Sequence, residues 1–319
     1  MINLKKPLLH AAGLAALLSF SCSVFSQNNQ DVEQASTDKV EDKKDWDVLN
    51  PPFDLATVSF DTDNTTWSSL DITPDGKSMV FDMLGDIYIT DIKGGKAKAL
   101  TQDFAWNIHP AVSPDGEKIA FISDRGGLSN LWIMNKDGTD LKQLSTEKSN
   151  LIHSPKWSPD GQYIAVSKGI MSSRSIPAGE IWLYHHSGGD GLAIKERVNG
   201  KKDQKNIADP AFSPDGKYLY FTQDVSAGTT FSYNRDPLKG IFAITRYELA
   251  NGEEERFVSG TGGAVVPTPS PDGKHLAFIR RVKEKTVLFV KDLATGMESP
   301  LYMDLERDMQ EGFGSEGYF

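Results

Sequence analysis

Cysteine is nearly missing from this chain: Cys22 is the only one among 319 residues. No intramolecular disulfide can hold the fold, and an oxidising compartment does it no harm. A basic excess is missing as well. Lys and Arg number 34 against 44 Asp and Glu, a formal net charge of −10; nucleic acid and anionic membrane surfaces both need a basic face, so neither is an expected partner. The apolar run Leu8–Phe20 is thirteen residues long, short of the roughly 20 that a spanning helix needs.

Signatures of catalysis are missing too. There is no Gly-x-Ser-x-Gly elbow and no His-Glu-x-x-His pair, so neither a serine hydrolase site nor that class of zinc site is supported within this chain. Gly76-Lys77-Ser78 ends like a phosphate loop, but Asp71 stands where its first glycine belongs. Asp61-x-Asp63-x-Thr65 opens like a calcium loop, but Thr66 replaces the glycine and no Glu closes it. His185 and His186 are adjacent, and strand neighbours point to opposite faces. No catalytic residue, cofactor-binding residue or metal ligand is therefore assigned to this chain.

The N-terminus reads as a targeting segment. Lys5 and Lys6 precede the apolar run, and Val24-Phe25-Ser26 offers a cleavage site, so residues 1–26 are expected to be a signal peptide and the protein periplasmic or secreted. Ser19 and Phe20 do not fit the box that a lipoprotein would need before Cys22. Residues 27–50 are polar and acidic, without hydrophobic period, and read as a disordered tether. Residues 51–319 carry the fold.

What the chain does have is a repeat. Thr73-Pro74-Asp75-Gly76 recurs as Ser-Pro-Asp-Gly at 113–116, 158–161, 213–216 and 270–273, with spacings of 40, 45, 55 and 57 residues. Pro presets φ at the first central position of a turn, Asp tolerates the second, and Gly accepts the positive φ that follows. Six residues after each Asp comes a large apolar residue: Phe81, Phe121, Val166, Phe221 and Phe278. Each closes an alternating run that reads as a half-buried strand. A third strand follows, with Tyr88, Trp132, Trp182, Phe242 or Phe289 at its centre, then a Gly-containing turn and a short fourth strand. Four antiparallel strands in 40–57 residues make a propeller blade, which must stack on neighbours to bury its faces.

The fold class is therefore all-β: a β-propeller of four-stranded antiparallel blades, five complete and a sixth beginning near Met309. Ring closure implies six or seven blades when whole. Residues 53–60 form an extra strand of the kind that completes a last blade. An open arc would expose two apolar blade faces, which leads to the expectation of a longer natural product.

Two sets of residues stand out as candidate sites. His109, His153 and Asp209 each precede a first strand, six or seven residues before the turn Asp. First strands line the channel, so the three could ring its mouth, either as a polar or metal-binding entrance or as bonds where blades abut. The connections between second and third strands are long in blades three and four, about Ser167–Gly179 and Thr222–Gly240. Long loops on one face of a repeat scaffold often carry binding, and Arg174, Tyr233, Asn234 and Arg235 lie there.

The Ser-Pro-Asp-Gly units, with Ser123-Asp124-Arg125-Gly126-Gly127 after a strand, resemble the propeller repeats of the periplasmic TolB family over residues 66–300. Stretches such as Trp67–Gly76, Phe81–Tyr88, Pro267–Gly273 and Asp308–Glu311 look like the N-terminal propeller of large secreted amidohydrolase-family proteins. That resemblance implies a scaffold that binds a protein or docks a covalently linked catalytic domain. Any divalent metal would belong to that missing domain, since its ligands have no matching positions here. The alternatives are a free-standing TolB-like envelope binding protein and the gating propeller of a prolyl-oligopeptidase-like peptidase.

Overall fold

The structure, a computed structural model, describes residues 2–8, 47–65, 68–232 and 235–305. Ile2–Leu8 (β1) and Ala56–Thr62 (β2) form an antiparallel pair. The remaining strands form five four-stranded sheets. Blade one is Leu70–Ile72 (β3), Ser78–Met83 (β4), Asp86–Asp91 (β5) and Lys98–Ala99 (β6). Blade two is Asn107–Val112 (β7), Lys118–Ser123 (β8), Asn130–Asn135 (β9) and Lys142–Gln143 (β10). Blade three is Leu151–Trp157 (β11), Tyr163–Met171 (β12), Pro177–His185 (β13) and Leu192–Lys195 (β14). Blade four is Ile207–Phe212 (β15), Tyr218–Asp224 (β16), Phe242–Glu248 (β17) and Glu254–Val258 (β18). Blade five is Val265–Pro269 (β19), His275–Val282 (β20), Lys285–Asp292 (β21) and Glu298–Tyr302 (β22). Within each blade the order is sequential and every pairing antiparallel. The fold is the expected β-propeller of four-stranded blades.

The repeated turn works as its residues dictate. In blade two the Gly116 amide donates to the Ser113 carbonyl (2.8 Å). Asp115 Oδ1 accepts from Ser113 Oγ (2.6 Å) and the Glu117 amide (3.0 Å), and Ser113 Oγ accepts from the Lys118 amide (2.9 Å). The same bonds recur around Asp75, Asp160, Asp215 and Asp272. The Ser or Thr hydroxyl is the main cause that holds each of these carboxyls below the usual range.

The core lies between blades rather than inside them. Val80 and Ile87 of blade one meet Phe121 and Met134 of blade two. Ile122 and Leu131 meet Ile152 and Val166. Ala165 and Ile181 meet Leu219 and Phe221, and Tyr220 and Ile244 meet Leu276 and Phe278. The residue six after the turn Asp thus faces the preceding blade. In blade one that residue is Phe81, which stacks on Tyr88 (5.6 Å) and is buried with Met83. Leu70 and Ile72 on the same sheet face are exposed, as are Leu301 and Tyr302 at the far end.

Several expectations change. The extra strand pairs with β1, not with a last blade. The third-strand position opposite Phe221 is Thr245, not Phe242, which sits at the start of β17 opposite Asp224. Thr245 stays buried by bonding Gln223 Oε1 (2.8 Å). The long connection expected in blade three is mostly strand: Ser167–Met171 pairs with Pro177–Ile181, leaving Ser172–Ile176 as the turn. The proposed cleavage site, Cys22, most of the tether and the start of a sixth blade at Met309 lie outside the described residues.

Candidate functional site

His109, His153 and Asp209 lie within the first strands β7, β11 and β15, not before them. Each of these strands carries a bulge, which is the physical reason for the misplacement: it shifts register between Ile108 and Ala111, His153 and Lys156, and Ala208 and Ala111's counterpart Ala211. The bulge residue takes positive φ: His109 (54°), Ser154 (52°), Asp209 (54°) and, in blade five, Val266 (54°). A non-glycine residue there is costly unless its surroundings hold it.

What holds it is the preceding blade. The His109 amide donates to Asp82 Oδ2 (2.7 Å), the Asp209 amide to Ser167 Oγ (3.0 Å) and the Val266 amide to Thr222 Oγ1 (3.0 Å). All three acceptors stand seven residues after a turn Asp. In blade two that position is Ile122, which has no acceptor, and the Ser154 amide turns to His109 Nδ1 (3.5 Å). The axial polar residues are thus latches between blades. Counting back six residues from each turn Asp would have found Ser154 in place of His153, and counting forward seven would have found Asp82.

The His109 and His153 rings come within 6.5 Å, centroid to centroid. Asp209 belongs to the next blade, where its carboxyl bonds Thr222 and Oδ2 is buried with no hydrogen-bond partner among the described residues. Among those residues no group of three or more His, Cys, Asp and Glu could hold a metal ion. His185 and His186 do approach, at 4.5 Å, because β13 ends at His185 and its alternation stops there.

The axis is electrostatically unusual. Burial pushes His109 down to about 4, with Lys156 adding to the effect, and His153 down to about 3, with His109 adding. Burial pushes Asp82 up to about 6 against the bonds from His109 and Ser69, and Asp209 up to about 6 against Thr222 and Lys156. Each imidazole takes its proton more readily in the unfolded chain, so the pair costs stability as pH falls from about 6.5 toward 4. Each carboxyl takes its proton more readily in the folded chain and has the opposite effect as pH falls from about 6 to 4. The His109→Asn/His153→Asn double variant removes only the first effect. Its stability relative to wild type is expected to rise as pH falls from 6.5 to 4, read from urea midpoints across that range. A difference that does not vary with pH would show that these imidazoles titrate normally.

The loop candidates lie at the end of the blades opposite the Ser-Pro-Asp-Gly turns. Phe231 sits between two guanidinium groups, Arg174 at 3.8 Å and Arg235 at 4.2 Å from its ring centroid. Arg235 pairs with Asp224, which Lys205 also approaches (3.5 Å). Gln204 ties three loops together: its amide donates to the Thr229 carbonyl (2.8 Å), its Nε2 to Ser173 Oγ (3.0 Å), and its Oε1 accepts from the Phe231 amide (3.0 Å). Arg174 and Arg235 are thus brought together; Tyr233 and Asn234 lie outside the described residues. Phe231, Gln204 and Asp224 were not singled out in the sequence, where nothing marks them apart from their place in variable connections.

The Ser123–Gly127 motif is structural. Arg125 bonds Asn107 Oδ1 (2.7 Å) and Ser123 Oγ (3.0 Å), pairs with Asp103 (3.2 Å) and covers Trp132 at 5.3 Å.

Residues 59–181 match the family described as TolB beta propeller domain. A TolB homolog from Chlorobium chlorochromatii is 39% identical over 168 residues, covering 51% of this chain and 31% of that protein. An uncharacterized peptidase, YuxL, from Bacillus subtilis is 31% identical over 170 residues, covering 44% of this chain and 25% of that protein. The chain thus spans less than a third of the length of these relatives. Among solved structures, a putative TolB from Agrobacterium tumefaciens superposes with a TM-score of 0.58 at 19% identity, covering 74% of this chain and 81% of that one. The likeness in structure is one of fold, a β-propeller; the match in sequence to the TolB beta propeller domain spans blades one and two and part of blade three.

Proposed function

We propose that this chain is a non-catalytic propeller module, periplasmic or secreted, that docks a protein or a covalently linked domain on the loop end of blades three and four. The observation that carries the reading is the three-loop assembly around Phe231: two arginines, an aromatic ring and a glutamine are ordered by one another at one end of the scaffold. Aromatic and arginine side chains are the types enriched at protein interfaces. The linked domain, on the resemblance of the flanking stretches, is a metal-dependent amidohydrolase, and any divalent metal would be held there.

The test is a photo-crosslinking residue at Thr230, which is exposed beside Phe231, in the native protein in its source cell. Crosslinks to one linked domain or one recurrent partner are expected. A yield no greater than from the exposed Lys274 at the opposite end would overturn the docking face. The intact mass of the native protein separates a linked domain from a free-standing protein, which would lie just below 35.1 kDa after signal cleavage. A second reading, the gating propeller of a peptidase, is favoured by the 31% identity to a relative named as a peptidase. Labelling of the native protein by an active-serine probe would favour it over the metal-dependent hydrolase.

A further inference from the structure

The junction between blades one and two differs from the other three beside the Ser-Pro-Asp-Gly turns. The residue directly before the turn is Trp157 at junction two–three and Phe212 at junction three–four, and each packs into the layer between its blades. At junction four–five that position is Pro269, and Tyr220 from the preceding blade supplies the ring. At junction one–two the corresponding residues are Val112 and Val80, with Ile89 and Ile119 beside them, all aliphatic. A cleft of about 470 Å³ remains open there, within the size range of small-ligand pockets.

Asp75, Asp115 and Glu117 stand around the rim of this cleft with Lys136, and Lys77 Nζ approaches Asp75 Oδ2 only loosely, at 3.8 Å and from an exposed position, an arrangement that a guanidinium can displace. Lys136 Nζ is 2.7 Å from Glu117 Oε1 and neutralises that carboxylate. Asp75 and Asp115 use Oδ1 to hold their turns, which fixes them at the mouth. An apolar floor below fixed carboxylates complements a side chain with an apolar stem and a planar cationic head.

We infer that the cleft between blades one and two receives an arginine side chain presented by a partner polypeptide, its stem against Ile89 and Val112 and its guanidinium at Asp75 and Asp115. The inference deepens the docking reading, but it concerns the turn end of the blades. Its test therefore stands apart from crosslinking at Thr230, and either can fail alone.

The probe is N-acetyl-arginine methylamide, with the citrulline analogue as neutral control, titrated into the protein and followed by amide shifts of Gly76 and Gly116. Saturable binding is expected with Kd on the order of 1 mM, weaker at high salt, and absent for citrulline. Val112→Trp copies blade three and should weaken binding by roughly tenfold or more without lowering the thermal midpoint. Lys136→Met removes a competing cation and should tighten binding several-fold. It is a surface change, so it keeps the test decisive if Val112→Trp does not fold. Equal shifts with arginine and citrulline, no saturation in wild type, or an affinity indifferent to Lys136→Met would overturn the inference.

Discussion

Phe121→Ala is expected to lower the unfolding free energy by about 3–5 kcal/mol, the range for removing a fully buried aromatic ring. Phe121 is fully buried between blades one and two, against Val80, Ile87 and Met134. Nothing nearby can collapse into the space, because the facing side chains stand on two separate sheets whose spacing the remaining contacts maintain. Trp132 lies directly opposite on β9 but is only half-buried, covered on one side by Arg125. Trp132→Ala should therefore cost less than Phe121→Ala, although tryptophan is the larger residue. Urea unfolding of the two variants side by side decides it. A larger loss at Trp132 would mean that the layers between these blades are packed differently in solution.

The second large effect is expected at Asp224. Its side chain is 1% exposed, between Lys205 and Arg235, at 8% and 12%. It also accepts from the amide (3.0 Å) and hydroxyl (2.6 Å) of Ser226. Asp224→Ala strands two largely buried cations and two donors, a change that typically costs about 3–5 kcal/mol. The loss should vary little with added salt, since buried pairs are weakly screened. Because Arg235 then loses its ion pair beside Phe231, the loops of blades three and four should also become accessible to protease. A loss below about 1 kcal/mol would place the cluster in water, as for a surface pair.

The fold was legible because its signals are local. Each Ser-Pro-Asp-Gly turn is stabilised by bonds spanning no more than five residues, so pattern and geometry coincide. The apolar residue six positions on is read from strand alternation, and all five examples are buried. The site was less legible because it depends on pairings between blades. Asp82 and His109 meet across 27 positions and Thr222 and Val266 across 44; neither spacing carries any signal. Blade three misled for a different reason. Gly169, Ile170 and Ala178 look like a loop around Pro177, but the strands run on through them, and Gly179 is required there because a Cβ would meet the Ile207 carbonyl oxygen at 2.3 Å.

The latches between blades give the molecule the mechanics of a chain of links of unequal strength. Three are tied by an amide to an oxygen that the neighbouring sheet holds rigidly, at 2.7–3.0 Å. The fourth, from blade three back to blade two, closes only through an imidazole at 3.5 Å. In an array whose units touch only their neighbours, cooperativity fails first where the coupling between units is smallest. Between blades two and three the Trp157 Nε1–Ala111 carbonyl bond (3.0 Å) and the shared core keep the sheets coupled, so the weak latch should show locally: the Ser154 amide should exchange its hydrogen sooner than those of His109, Asp209 and Val266.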